Sequence, residues 1–344
     1  MRGFVAAVAV AAGWAMCGPA LGAGSAAPTP DPVELNNQGV EMAAQARYAE
    51  AEEFYRQALD RMAASDADTG HVLNNLGALY LAKGDTAKAE SCALRAGGML
   101  GETDRNGNRI LLAAIYVEER RFAEARTLAE PALPGASGQT AFALIANLAA
   151  AALGEEKLQD AEDFCRRALE IAATVLPPNH PGVASVWNNL GQAYRFQKRY
   201  LEAETSYRKA IEIWTAARGP EHPLVARGLL NLAAFEHERG RERAAEELYG
   251  RAAGILGLAI GTDALQTLIA RNELGEVLRA ESRYVASEQW SRATLPAIRK
   301  LLPENDPRVL RALANYARLL ASTKRQSDAN ALWTHIRLVA STLR

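Results

Sequence analysis

From Asp31 onward, apolar and small residues recur at helical spacing in paired stretches divided by short polar turns. The clearest copy is VWNNLGQAYRFQKRYLEAETSYRKAIEI, residues 186–213, with small residues at Gly191, Ala203 and Ala210. Taking Gly191 as an anchor, a small residue follows 12 positions on and another seven further. The pattern recurs with anchors at Gly39, Gly77, Ala113, Ala149, Gly191, Ala233, Gly275 and Ala317. The second position reads Ala51, Ala89, Ala125, Ala161, Ala203, Ala245, Ser287 and Ala329. The third reads Ala58, Ala96, Ala132, Ala168, Ala210, Ala252, then Thr294 and Ile336. Anchor spacings are 38, 36 and 36, followed by four of 42.

Eight units in phase predict an all-α repeat array from 31 to 344, with units at 32–69, 70–105, 106–141, 142–180, 181–222, 223–263, 264–306 and 307–344. Each unit holds two helices joined by a turn such as Lys83-Gly84-Asp85 or Arg239-Gly240-Arg241. The small residues mark where the two helices approach most closely, since a larger side chain would push them apart. Leu76, Leu112, Leu148, Leu190, Leu232 and Leu274 precede their anchors, and Tyr80, Tyr116 and Tyr194 follow at three positions. Together with Tyr55, Tyr207 and Tyr249 these read as core. A lone hairpin cannot cover its own apolar face, so neighbouring units complete the core.

Proline punctuates the starts. Asp31-Pro32, His180-Pro181, His222-Pro223 and Asp306-Pro307 each precede a first helix, where proline suits the first helical position. The 42-residue interval between His180 and His222 makes them one repeat position, so they read as helix starts rather than metal ligands.

The N-terminus departs from the pattern. Arg2, a 13-residue apolar run from Phe4 to Met16 and a small-residue tail have the order of a secretory signal peptide over 1–23, followed by a linker over 24–30. That order predicts a periplasmic or secreted chain with no stable membrane span after cleavage, since a run that short does not cross a bilayer. An uncleaved anchor, or a lipoprotein through Cys17, is the alternative; Trp14-Ala15-Met16 lacks the small residue that lipidation favours. Cys92 and Cys165 fall on helices two units apart, beyond the ~7 Å that a disulfide spans, and predict two free thiols.

Charge and motifs exclude more than they assign. A net charge of −1 gives no basic field for nucleic acid. DRNGN at 104–108 begins like a calcium loop, but Arg109 and Ile115 stand where glycine and glutamate are needed. The chain carries no phosphate loop, GxSxG, HExxH or CxxC. Pairs such as Glu52-Glu53 and Glu246-Glu247 read as solvated charge. No catalytic residue, metal or cofactor is expected.

The Gly/Ala, Ala, Ala spacing resembles the tetratricopeptide repeat family. The 42-residue units, with HPGVASVWNNLGQAY and HPLVARGLLNLAAF, are similar to its kinesin-light-chain-type subclass. The resemblance implies a right-handed α-solenoid whose first helices line a concave face, and a function in binding protein or peptide. Unit three departs from it, with Asn108 displaced and Leu111 in the usual asparagine place, and the small pattern decays in units seven and eight.

Two residues before each anchor stand Asn37, Asn75, Leu111, Asn147, Asn189, Asn231, Glu273 and Asn315. In the family this position faces the groove and hydrogen-bonds a bound peptide's main chain, a task suited to a carboxamide that both donates and accepts. The alternative is that these asparagines tie one helix to its neighbour. On the implied concave face, units five to eight add Gln192, Arg195, Arg227, His237, Glu276, Arg279, Arg311 and Arg318. Units two to four offer Ala78, Leu81, Ala114, Ala150 and Leu153. The resulting expectation is an exported scaffold whose ligand has an apolar segment for the N-terminal half and acidic groups for the C-terminal half; the alternative is that the arginines of units five to eight form a plain solvated face. The other readings are a structural envelope component acting through its convex face or ends, and self-association through Leu332 and Trp333 of the last unit.

Overall fold

The computed structural model describes residues 31–62, 67–101 and 104–341; the expected signal peptide, linker and Cys17 lie outside them. Among the described residues the chain forms sixteen α-helices and no strand. They divide into two compact units, one ending at His222 and one beginning at Pro223. The first holds α1 (Pro32–Ala44), α2 (Tyr48–Asp60), α3 (Ala67–Lys83), α4 (Thr86–Gly97), α5 (Arg105–Glu118), α6 (Phe122–Ala129), α7 (Gly138–Gly154), α8 (Leu158–Val175), α9 (Pro181–Phe196) and α10 (Tyr200–Arg218). The second holds α11 (Pro223–Glu238), α12 (Glu242–Ile260), α13 (Leu265–Ala280), α14 (Tyr284–Leu301), α15 (Pro307–Ser322) and α16 (Gln326–Ser341).

Consecutive helices pair into hairpins, and within each compact unit each hairpin packs on the next as in an α-solenoid. In the first unit α1, α3, α5, α7 and α9 also touch in series, as α13 and α15 do in the second. The first helices of each unit therefore share a face.

The small residues sit where close approach requires them. All eight second-position residues, Ser287 included, are 1% exposed or less. A Cβ on Gly39 would lie 2.6 Å from Tyr55 Cε1, and one on Gly191 2.8 Å from Tyr207 Cδ1. The decay in unit seven is a substitution in kind: Ser287 Oγ donates to the Gly275 carbonyl at 2.7 Å, and Thr294 Oγ1 to that of Trp290 at 2.8 Å. Ile336 is buried with Leu313 and Ile298, and Leu332 and Trp333 pack against that cluster rather than standing free. Ala132 is the exception, because α6 ends after eight residues and Pro131 carries the chain through a 3₁₀ turn.

Every hairpin turn has one backbone solution. The seventh residue after the anchor has positive φ, at Ala46, Gly84, Arg120, Glu156, Lys198, Gly240, Ser282 and Lys324. The next residue's N–H donates to the carbonyl three past the anchor, at 2.7–3.0 Å, the long bond of a Schellman closure. Six of these eight residues carry a Cβ, at a cost of about 1 kcal/mol each.

Charged rungs join successive hairpins. The thirteenth residue after one anchor meets the eighth after the next in Glu90–Arg121 (2.6 Å), Glu162–Arg199 (3.0 Å), Glu246–Arg283 (2.7 Å) and Glu288–Arg325 (2.9 Å). Glu52 meets Lys83 at 2.6 Å and accepts from Tyr80 at 3.0 Å. Between units three and four the polarity reverses, with Arg126 on Glu155 at 3.0 Å. Glu52 and Glu246 are thus inter-unit ties, which corrects their reading as solvated charge; their neighbours Glu53 and Glu247 bond only within their own helices. Burial raises the Glu162 carboxyl's affinity for a proton, but hydrogen bonds from Gln197, Arg199 and Arg166 outweigh it and hold the pKa below the usual carboxylate range.

Cys92 and Cys165 are buried and free, and burial pushes both thiols up. No helix among the described residues is long and apolar enough to cross a membrane.

Two measurements test this packing. Gly39→Ala should lower stability by about 1–3 kcal/mol through overpacking against Tyr55, with a smaller loss in the Tyr55→Leu background; chemical denaturation of the single and double variants reads both. In a double-mutant cycle, Glu162→Gln and Arg199→Gln should couple by about 0.5–1.5 kcal/mol, falling at high salt.

Candidate functional site

The asparagine row is built from a rule between neighbouring first helices. Asn75 Nδ2 donates to Asn36 Oδ1 at 3.0 Å, and Asn315 Nδ2 to Asn272 Oδ1 at 2.7 Å. In both pairs the residue two before one anchor reaches the residue three before the preceding anchor. Where Ile110 fills that earlier place, Asn147 Nδ2 takes its main-chain carbonyl at 2.9 Å. Asn108, although displaced, obeys the same logic: it donates to Asn74 Oδ1 at 3.1 Å and to the Ala93 carbonyl at 2.7 Å. Asn75, Asn147 and Asn315 are therefore ties, and their donors are engaged within the stack.

The remaining members differ in setting. Asn37 is half-buried and bonds to no other described residue; in its unit Asn36 supplies the acceptor for Asn75. Asn189 and Asn231 are buried, as are Gln192 and Arg195 on α9, and the Arg195 guanidinium lies 5.1 Å from the Phe196 ring centre. Arg227 on α11 is half-buried. His237 Nδ1 meets Glu242 Oε2 at 2.5 Å across the α11–α12 turn.

Charge concentrates on α13 and α15. Arg311 holds Glu273 in a bidentate pair, with Nε on Oε1 at 2.7 Å. Arg279 Nε donates to Glu276 Oε2 at 2.9 Å, and Arg318 Nε to Glu276 Oε1 at 2.7 Å. Arg318 also donates to Asn315 Oδ1, linking the ion pairs to the carboxamide tie. Glu273, in an asparagine place, pairs forward with the next first helix rather than back to the preceding one, beside the Asn315–Asn272 tie. Burial alone would weaken the Arg311 charge, but Glu273 outweighs it and raises the pKa. The arrangement sets three guanidiniums against two carboxylates, and Arg311 Nη1 is buried with no hydrogen-bond partner among the described residues.

These contacts correct the charge reading of the sequence. Arg279, Arg311 and Arg318 are paired within the chain, and the charges of Glu242 and Glu238 also act on Arg279 and Arg311, so three free cations do not await a ligand there. Ala78, Leu81, Ala114, Ala150 and Leu153 are all buried, and the apolar subsite expected there has no exposed surface. Among the described residues no group of three or more His, Cys, Asp or Glu side chains is placed to hold a metal ion. The paired-asparagine rule was missed in the sequence, although the doublets Asn36-Asn37, Asn74-Asn75 and Asn188-Asn189 signal it.

A search of curated protein sequences gives no match. Among solved structures, a Rap protein complexed with competence and sporulation factor has a TM-score of 0.57 at 14% identity, covering 88% of this chain and 89% of its own. NprR in complex with its cognate peptide NprX has a TM-score of 0.55 at 13% identity, covering 77% and 76%. The signal transduction ATPase PH0952 from Pyrococcus horikoshii, with a tetratricopeptide repeat sensor, has a TM-score of 0.54 at 14% identity, covering 89% of this chain and 49% of its own. At these identities the likeness is one of fold. The tetratricopeptide repeat model matches residues 35–96, 139–213 and 182–256, just over half of the chain. By that match, and by hairpins whose small residues lie at the family's spacing, the chain belongs to the tetratricopeptide repeat family.

Proposed function

We propose that this chain is an exported, non-enzymatic scaffold that binds a protein or extended peptide along its first-helix face. The family's repeat fold is typically an interaction scaffold. Two structures of similar fold, the Rap protein and NprR, are complexes with a competence factor and a peptide. Export rests on the signal-like order of residues 1–23, and a periplasmic or secreted location follows from it.

One observation carries the ligand's chemistry. Arg311 Nη1 on α15 is a buried donor with no hydrogen-bond partner among the described residues, beside the Glu273 carboxylate that holds the rest of the guanidinium. A buried donor without a partner costs about 1–3 kcal/mol, which an incoming acceptor recovers. A ligand carboxylate would supply that acceptor, and Arg227 lies on α11 in the same compact unit. Carboxamide ties that hold the helices in place, rather than reading the ligand, leave specificity to these charged neighbours.

Selection of a displayed random-peptide library on the mature chain tests this. Enriched peptides should be acidic, and the Arg227→Glu/Arg311→Glu variant should bind them at least tenfold more weakly. Enrichment of neutral or basic peptides, or unchanged affinity in the variant, would remove the reading. Asn147→Ala separates tie from reader: stability should fall by about 1–2 kcal/mol, measured by urea denaturation, while affinity for the selected peptides at a temperature well below unfolding stays within twofold.

A further inference from the structure

Three first helices open on the same backbone geometry. Asp31, His180 and Asp306 have φ of −59°, −65° and −64° and ψ of 137°, 129° and 131°, and each is followed by proline. Each side chain accepts the N–H two residues on. Asp31 Oδ1 takes that of Val33 at 3.2 Å, His180 Nδ1 that of Gly182 at 3.1 Å, and Asp306 Oδ1 that of Arg308 at 2.8 Å. An aspartate keeps its acceptor down to acid pH. An imidazole accepts at Nδ1 only while neutral, because both ring nitrogens of the charged form are donors.

We propose that the N-cap of α9 is a proton-operated latch: protonation of His180 withdraws the acceptor from Gly182 and frees the start of α9 from the α8–α9 connection. The surroundings favour release and offer no rescue. The charged group acting on His180 is Arg218, at the end of α10. From α7 Phe142 meets the ring edge-on, with centres 6.5 Å apart. The first turn of α9, the last turn of α8 (Ala172–Val175) and the link Leu176–Asn179 carry no charge, so no carboxylate there receives an imidazolium. The ring lies against Gly182, where a Cβ would stand 3.0 Å from Nδ1, so a protonated Nδ1 faces the Gly182 N–H with its own hydrogen.

Burial first and Arg218 second hold the His180 pKa below its ordinary 6.5. His222, the same repeat position one unit on, is lowered to about 4 by the same two causes. A depressed folded-state pKa means that the unfolded chain binds the proton more readily. The stabilising cap is therefore complete above pH 6.5 and is lost as pH falls below that value. Trp214 Nε1, donating to the Pro181 carbonyl at 3.1 Å, keeps the helix docked, so the release is local to its first turn. α9 also carries Asn189, Gln192 and Arg195, but the latch does not depend on what that face binds.

Amide hydrogen exchange on the full chain at pH 7.5, 5.5 and 4.5, corrected for intrinsic rates, tests the latch against an internal control. Protection at Gly182–Ser185 should fall at least tenfold across the range, while that at Arg308–Arg311, under the Asp306 cap, changes less than threefold. His180→Asp should abolish the loss at α9, and Arg218→Gln should move its midpoint to higher pH. Equal loss at both helix starts, an unchanged α9, or a midpoint indifferent to Arg218 would overturn the proposal. Should His180→Asp fail to fold, the direction of the Arg218→Gln shift decides alone.

Discussion

A carboxamide reaching from one first helix to the one before it is the contact on which this array depends. Small residues let the two helices of a hairpin meet, but they carry no information about which hairpin comes next. Asn75 on Asn36, Asn147 on the Ile110 carbonyl and Asn315 on Asn272 supply it, because each bond closes only when adjacent first helices are offset by one fixed step. The bonds are buried, so a slipped register leaves unmet polar groups in the core, at a cost larger than the net gain of making them. At the step from α13 to α15 an ion pair between Glu273 and Arg311 spans the same gap as the Asn315–Asn272 bond and reinforces it.

The outer edge repeats this logic in charge. Carboxylates on second helices meet arginines at the start of the next second helix, and the left-handed turn residue is what aims each arginine. The arginine's own backbone N–H closes the preceding helix at the carbonyl three past the anchor, which fixes where its side chain emerges. Arg121 and Arg199 use that placement twice, lying 3.9 Å over the Tyr116 ring and 4.2 Å over Tyr194 while reaching their carboxylates. Strain in one residue thus positions a contact made by its neighbour.

The hairpins were legible in the sequence because a small residue at close approach is a local requirement that repeats in phase. The ties were not. Polar residues on a first helix look alike whether they face a ligand or a neighbour, and only the offset between helices decides. Glu52 and Glu246 read as solvated because their cationic partners lie 31 and 37 residues away, outside any window that examines one helix. Ser287 and Thr294 read as decay, yet each hydroxyl finds a carbonyl, which an alanine count does not register. The turns were recognised where glycine marks them, at Gly84 and Gly240, and unmarked where Arg120 or Lys198 adopts the same conformation.

The reversed rung at Arg126 and Glu155 has a consequence for the array's history. Repeat proteins lengthen and shorten by recombination between similar units, and most junctions here have carboxylate before arginine, so most units are electrically interchangeable. At this junction Glu155 bridges Arg126 and Lys157; removing unit four would put Gln197 and Arg199 in the places of Glu155 and Lys157 and leave the two cations without a bridging carboxylate. The inverted polarity therefore makes unit four costlier to delete than a unit whose removal brings a carboxylate and an arginine together.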